Sequence, residues 1–175
     1  REALRKLERD GLVEYVMRRG VVVRAFTIDD VKEIYTIRNS LEMLTLPAII
    51  EKATPDDIAS LREKLAAMDK LQERDDVEAL SPLAREFHAQ LTALCGQKRI
   101  LRVIESQDEY IRRFSAMAIR QENRRSAAHE EHHRLVDYVE ARDLENFTKL
   151  TQHHITRSME NCLAALAAQK QNREI

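Results

Sequence analysis

From Thr27 onward the apolar positions recur three and four residues apart, the spacing of one face of an α-helix. Val31, Ile34, Tyr35, Leu41 and Leu44 form the first stripe, behind Thr27 as cap and Asp29 and Asp30 in the first turn. Pro47 is expected to kink or break that helix near its end. Thr54-Pro55 predicts a second helix reaching about Gln72. Ser81-Pro82 predicts the start of a third, which carries Phe87, His88, Leu91 and Leu94 and stops at Gly96. A fourth is expected over 100–119. Ser126 opens a fifth through Leu135, Val136 and Val139, and Asp143 caps a last one running past Leu166. The polar tail from Gln169 is expected to fray.

The first 26 residues follow a different rhythm. Ala3, Leu4 and Leu7 make a short amphipathic run that Gly11 can cap in the left-handed conformation. Two β-rich runs follow, Leu12–Met17 and Val21–Phe26, joined by Arg18-Arg19-Gly20 as a hairpin turn. The expected fold class is therefore all-α: an antiparallel bundle of about six helices over 27–175, preceded by a helix-plus-hairpin piece over 1–26.

Composition narrows this further. Three glycines, three prolines, no Trp and 5% aromatics exclude collagen-like and low-complexity chains and argue against a many-stranded sandwich or barrel. No run of eighteen apolar residues exists, so no membrane partner is expected. Cys95 and Cys162 are too few for a disulfide framework and read as reduced thiols, which predicts a cytoplasmic protein. The net charge of −1 conceals a basic beginning: residues 1–25 hold seven Lys/Arg against four Asp/Glu, which points to an anionic partner.

Five of the six histidines lie in the last 47 residues. His132 shares a helical face with Leu135, Val136 and Val139, whereas His133 shares one with Asp137 and Glu140 and should face water. His154 lies with Phe147, Leu150 and Cys162, His153 with Lys149 and Arg157, and His88 with Ala84, Leu91 and Cys95. His88, His132 and His154 thus point inward from three helices. Burying three imidazoles requires a partner for each, and one divalent metal ion, Zn²⁺ with Ni²⁺ or Fe²⁺ as alternatives, serves all three. The competing reading is a hydrogen-bonded cluster without metal. His129-Glu130-Glu131-His132-His133 also satisfies H-E-x-x-H, a short pattern that chance readily produces in a charged, His-rich helix. A di-iron bundle would need a second E-x-x-H helix, which is absent. Arg38 interrupts an apolar stripe and reads either as an i,i+4 partner of Glu42 or as an anchor for a carboxylate ligand; Arg112 and Arg113 are further candidates for that pocket.

Several stretches resemble the FadR-like branch of the GntR superfamily of transcription regulators, which carries an FCD effector domain. Arg1 to Val13 is similar to that family's recognition helix and following strand, and Arg18-Arg19-Gly20-Val21-Val22-Val23 to the wing. Ile34 to Glu42 resembles the first effector-domain helix. Phe87-His88 with Cys95-Gly96, then His132-His133-Arg134-Leu135 through Asp143 to His154, follow the family's later motifs. The resemblance implies a partial winged helix-turn-helix over 1–26, lacking two helices ahead of the recognition helix, and an effector-binding and dimerisation domain over 27–175. It implies DNA contacts from Arg1, Arg5, Arg18, Arg19 and Gly20 to double-stranded operator DNA, a homodimer, and a small carboxylate effector beside a metal held by one Asp and three His. The histidines fall at His88, His132 and His154, but Ala84 stands at the aspartate's position, and Gln97 where Asn is usual. The expected function is a ligand-responsive regulator, not an enzyme. The alternatives are a metal-dependent hydrolase using the three histidines and a metal-free helical interaction module.

Overall fold

The computed structural model describes residues 2–107, 110, 112–114 and 122–171. Helix α1 (Glu2–Arg9) ends at Gly11, whose φ of 70° lets Leu12 N–H return to the Leu7 carbonyl at 2.9 Å. Strands β1 (Val13–Val16) and β2 (Gly20–Val23) pair antiparallel with Val13 opposite Val23 and Val16 opposite Gly20. Arg18 and Gly20 both take positive φ in the connection. This N-terminal piece leaves much apolar surface in water: Tyr15 is 68% exposed, Met17 80% and Val23 69%.

Helix α2 (Ile28–Lys52) starts at a capping box in which Asp30 N–H donates to Thr27 Oγ1 and Thr27 N–H to Asp30 Oδ2. Pro47 does not break it. The proline removes one intrahelical bond, but Leu46, Ala48 and Ile49 around it are buried in the core, and that packing carries the helix on to Lys52. Helix α3 (Pro55–Glu73) repeats the capping box with Thr54 and Asp57 and places Pro55 in its first turn.

Helix α4 (Val77–Ala93) begins before Ser81-Pro82, with Asp76 as cap accepting from Ala79 N–H at 3.0 Å. Pro82 lies inside it, and the additional turn is held by Leu80, which is 5% exposed. Helix α5 (Lys98–Glu105) is shorter than the periodicity predicts, ending in a turn at Ser106 and Gln107. Residues 110 and 112–114 are again helical, and 115–121 lie outside the described residues. Helix α6 (Glu122–Glu140) begins ahead of Ser126, whose hydroxyl accepts from Gln72 Nε2 at 3.5 Å instead of capping. Asp143 caps α7 (Leu144–Gln171) through Asn146 N–H at 3.0 Å.

In the bundle α2 packs along α7, α3 against α4 and α6, and α6 against α7. One core cluster joins Ile49, Leu61, Leu65, Phe87, Val136 and Phe147; a second joins Val31, Tyr35, Phe114, Ile155 and Cys162. Phe87, Phe114 and Phe147 are fully buried, and truncating any one to Ala costs about 3–5 kcal/mol. Both cysteines are free and buried. Among the described residues no helix is long and apolar enough to cross a membrane.

Candidate metal and effector site

His88 on α4, His132 on α6 and His154 on α7 meet between the helices. One ring nitrogen from each lies within 4.8 Å of the other two. The ring centroids form a nearly equilateral triangle, with sides of 4.7, 4.9 and 5.0 Å. His132 and His154 are almost wholly buried, and Phe87 packs against the rings of both His88 and His132. Burial, and then the nearby charges of His154 and Arg38, hold His88 well below the usual imidazole range. His88 is therefore neutral at pH 7 and keeps the lone pair that a metal needs.

Glu131 belongs to this group and escaped the sequence reading. Its Oε2 accepts from His154 Nδ1 at 2.6 Å, both groups being buried. A carboxylate paired with Nδ1 fixes the orientation of the His154 ring, the arrangement of a carboxylate that orients a metal-binding histidine. The phase of α6 carried the signal: Glu131 lies one turn before Leu135, which is 2% exposed. Ala84 sits one turn before His88 on α4 and lines the same space without offering an oxygen. Three imidazoles grouped around one point, with coordination positions left over, fit a zinc-like divalent ion whose shell is completed by water or ligand oxygens.

The histidines open onto a cavity of about 520 Å³. Arg38, Arg85, Arg112 and Arg125 line it, as do Tyr35 and Glu42. Arg38 Nε donates to Glu42 Oε1 at 2.5 Å, with the two side chains 11% and 12% exposed. Arg38 thus pairs with Glu42 within its helix and also lines the cavity. Arg113 lies elsewhere. Its guanidinium stacks 4.1 Å from the Phe26 ring centre and donates to the Arg24 carbonyl at 3.3 Å. Successive helical residues point about 100° apart, and here Arg112 turns to the cavity while Arg113 turns to Phe26.

Arg5 is exposed on α1, Arg18 and Arg19 are exposed at the hairpin tip, and Gly20 opens β2. Arg1 lies outside the described residues. His153 faces solvent as expected, but His133 is only partly exposed and meets Asp69 of α3.

The FCD domain model matches residues 33–157. The HTH-type transcriptional regulator YdhC of Bacillus subtilis is 26% identical over 174 residues, covering 98% of this chain and 77% of that protein. The HTH-type transcriptional regulator BphR of Paraburkholderia xenovorans is 30% identical over 168 residues, covering 91% of this chain and 67% of that protein. Among solved structures, a GntR-family transcriptional regulator of Pseudomonas syringae aligns with a TM-score of 0.66 at 27% identity, over 98% of this chain and 71% of the other. Escherichia coli McbR/YncC shares the fold with a TM-score of 0.77 at 23% identity, over 96% and 83% of the two chains. These relatives bear the names of transcriptional regulators, which supports the regulator reading over the hydrolase alternative. The chain belongs to the FCD domain family and is a transcriptional regulator of the GntR family.

Proposed function

We propose that the protein is a ligand-responsive regulator in which a small carboxylate enters the bundle cavity and changes operator binding by a homodimer. The observation that carries this reading is the convergence of three histidines on a cavity of about 520 Å³ that also has four arginines in its wall. That volume suits a small organic acid, and the arginines favour an anion. His88, His132 and His154 would hold a divalent ion, Zn²⁺ or alternatively Ni²⁺ or Fe²⁺, which would supply a positive centre for effector oxygens. Glu131 would keep His154 oriented, and Arg38 and Arg112 would engage the carboxylate.

Residues 1–26 would contact the DNA through Arg1, Arg5, Arg18, Arg19 and Gly20, with 27–175 as the effector and dimerisation part. A packed route leads from the cavity to the segment joining them. Tyr35 in the cavity wall stacks on Phe114 at 6.2 Å, and Phe114 meets Phe26 edge-on at 4.6 Å. An effector weakens DNA binding only by its affinity difference between the two arrangements of the dimer.

The test is fluorescence anisotropy of full-length protein on operator fragments across a salt series, with and without zinc and a panel of small mono- and dicarboxylates. Salt-sensitive, sequence-preferring binding that one acid shifts supports the reading. Binding without sequence preference, or no response to any acid in the presence of metal, overturns it.

A further inference from the structure

The His129-Glu130-Glu131-His132-His133 run carries two further histidines, His129 and His133, that do not belong to the cavity lining. His129 and His133 stand one turn apart on α6 and both turn toward α3. There Asp69 Oδ1 lies 2.5 Å from His129 Nε2 and 3.1 Å from His133 Nε2. One donor atom from each of the three residues lies within 4.8 Å of the other two. The His129 side chain is 9% exposed, while Asp69 and His133 are 43% and 39% exposed, so the cluster is walled on one side and open to water on the other.

We propose that Asp69, His129 and His133 form a second metal site, for a borderline divalent cation such as Zn²⁺, bridging α3 and α6. A histidine pair at i and i+4 presents two nitrogens from one helical face, the spacing that chelates zinc. Here the pair converges on a single carboxylate oxygen of another helix, so three donors of mixed N and O type are grouped within 4.8 Å of one another. An ion would replace the hydrogen bonds that now join them. Mixed imidazole and carboxylate donors suit Zn²⁺ better than hard cations such as Mg²⁺ or Ca²⁺, which take oxygen ligands. The open side leaves room for water to complete the shell. The His129 ring centre lies 6.2 Å from that of His132, so an ion here would also tie down the segment of α6 that carries His132 and Glu131. The site shares no residue with the cavity set.

Equilibrium zinc binding by metal-stripped protein without a His tag, read as equivalents per chain, tests this. His88→Ala/His154→Ala, which removes the cavity set, is expected to retain one equivalent at micromolar zinc. His133→Gln and Asp69→Asn, at partly exposed positions, are each expected to remove one equivalent from the wild-type stoichiometry, or to weaken that site by more than about 10-fold. Loss of even an outer-shell partner typically costs a metal site about 10–100-fold. If the cavity double variant does not fold, the two single variants decide the matter. Unchanged stoichiometry and affinity in both, or loss of all binding in a folded cavity double variant, overturns the proposal. So does a site that fills only at millimolar zinc.

Discussion

Glu131 Oε2 sits 2.6 Å from Nδ1 of His154, joining α6 to α7 across 23 residues of chain. The contact ties the orientation of one imidazole in the triangle to a carboxylate that the triangle itself does not contain. Glu131→Gln keeps the shape and removes the charge. It is expected to weaken metal binding at the three-histidine site by about 10–100-fold while leaving the helical circular dichroism unchanged. Chelator competition with the Asp69 site already removed by His133→Gln measures this, and an unchanged affinity would show that Glu131 has no part in the site.

Arg38 and Glu42 form a nearly buried pair, so the two should be strongly coupled in stability. Arg38→Met takes its partner from the nearly buried Glu42 carboxylate and is expected to cost about 3–5 kcal/mol. Arg38→Met/Glu42→Met is expected to recover most of that loss, because the Glu42 carboxylate is removed along with its partner. Urea unfolding of the two variants separates these outcomes; equal destabilisation by both would refute the coupling.

Effector affinity should distinguish neighbouring arginines. Arg112→Lys is expected to weaken binding of a carboxylate effector by about 10-fold through loss of guanidinium geometry, whereas Arg113→Lys leaves it unchanged. Calorimetric titration with the acid identified in the DNA-binding screen provides the comparison. A larger effect at Arg113 would contradict the placement of its side chain on Phe26.

Phe114 joins the cavity wall to Phe26 by ring contacts. Phe114→Leu retains an apolar side chain but loses both ring contacts. It should leave effector affinity within about 3-fold of wild type, a change of well under 1 kcal/mol. The effect of effector on DNA affinity should shrink. Anisotropy with and without effector gives the ratio, and a preserved ratio would exclude this route.

The capping boxes set an acid limit. Burial raises the Asp30 carboxyl, but the Thr27 hydrogen bonds and Arg24 outweigh it and hold the group below 3.8. Hydrogen bonds from the Thr54 hydroxyl and backbone hold Asp57 below the same value. A depressed folded pKa means that the unfolded chain binds protons first, so this stabilisation is complete well above pH 3.8 and is lost as pH falls through the folded pKa. The stability difference between wild type and Asp57→Ala is therefore expected to be constant near neutrality and to shrink below about pH 4. A difference that grows on acidification would reverse the sign of this account.

Local chemistry made much of the bundle readable in the chain. Thr27, Thr54 and Asp143 cap helices where the sequence places them, because a cap is satisfied by groups within three residues. The inward phase of His88, His132 and His154 was readable for the same reason: helical period alone assigns a face. The prolines misled where tertiary packing opposed local preference. Leu46, Ala48 and Ile49 carry α2 past Pro47, and Leu80 adds a turn ahead of Pro82, since burial of apolar side chains outweighs one missing backbone hydrogen bond. What only the tertiary structure decided are the contacts between distant segments: Glu131 on His154, Asp69 beneath His129 and His133, and Arg113 on Phe26 rather than in the cavity. Period assigns a side chain to a face, but the partner it meets depends on how helices far apart in the chain are registered against one another.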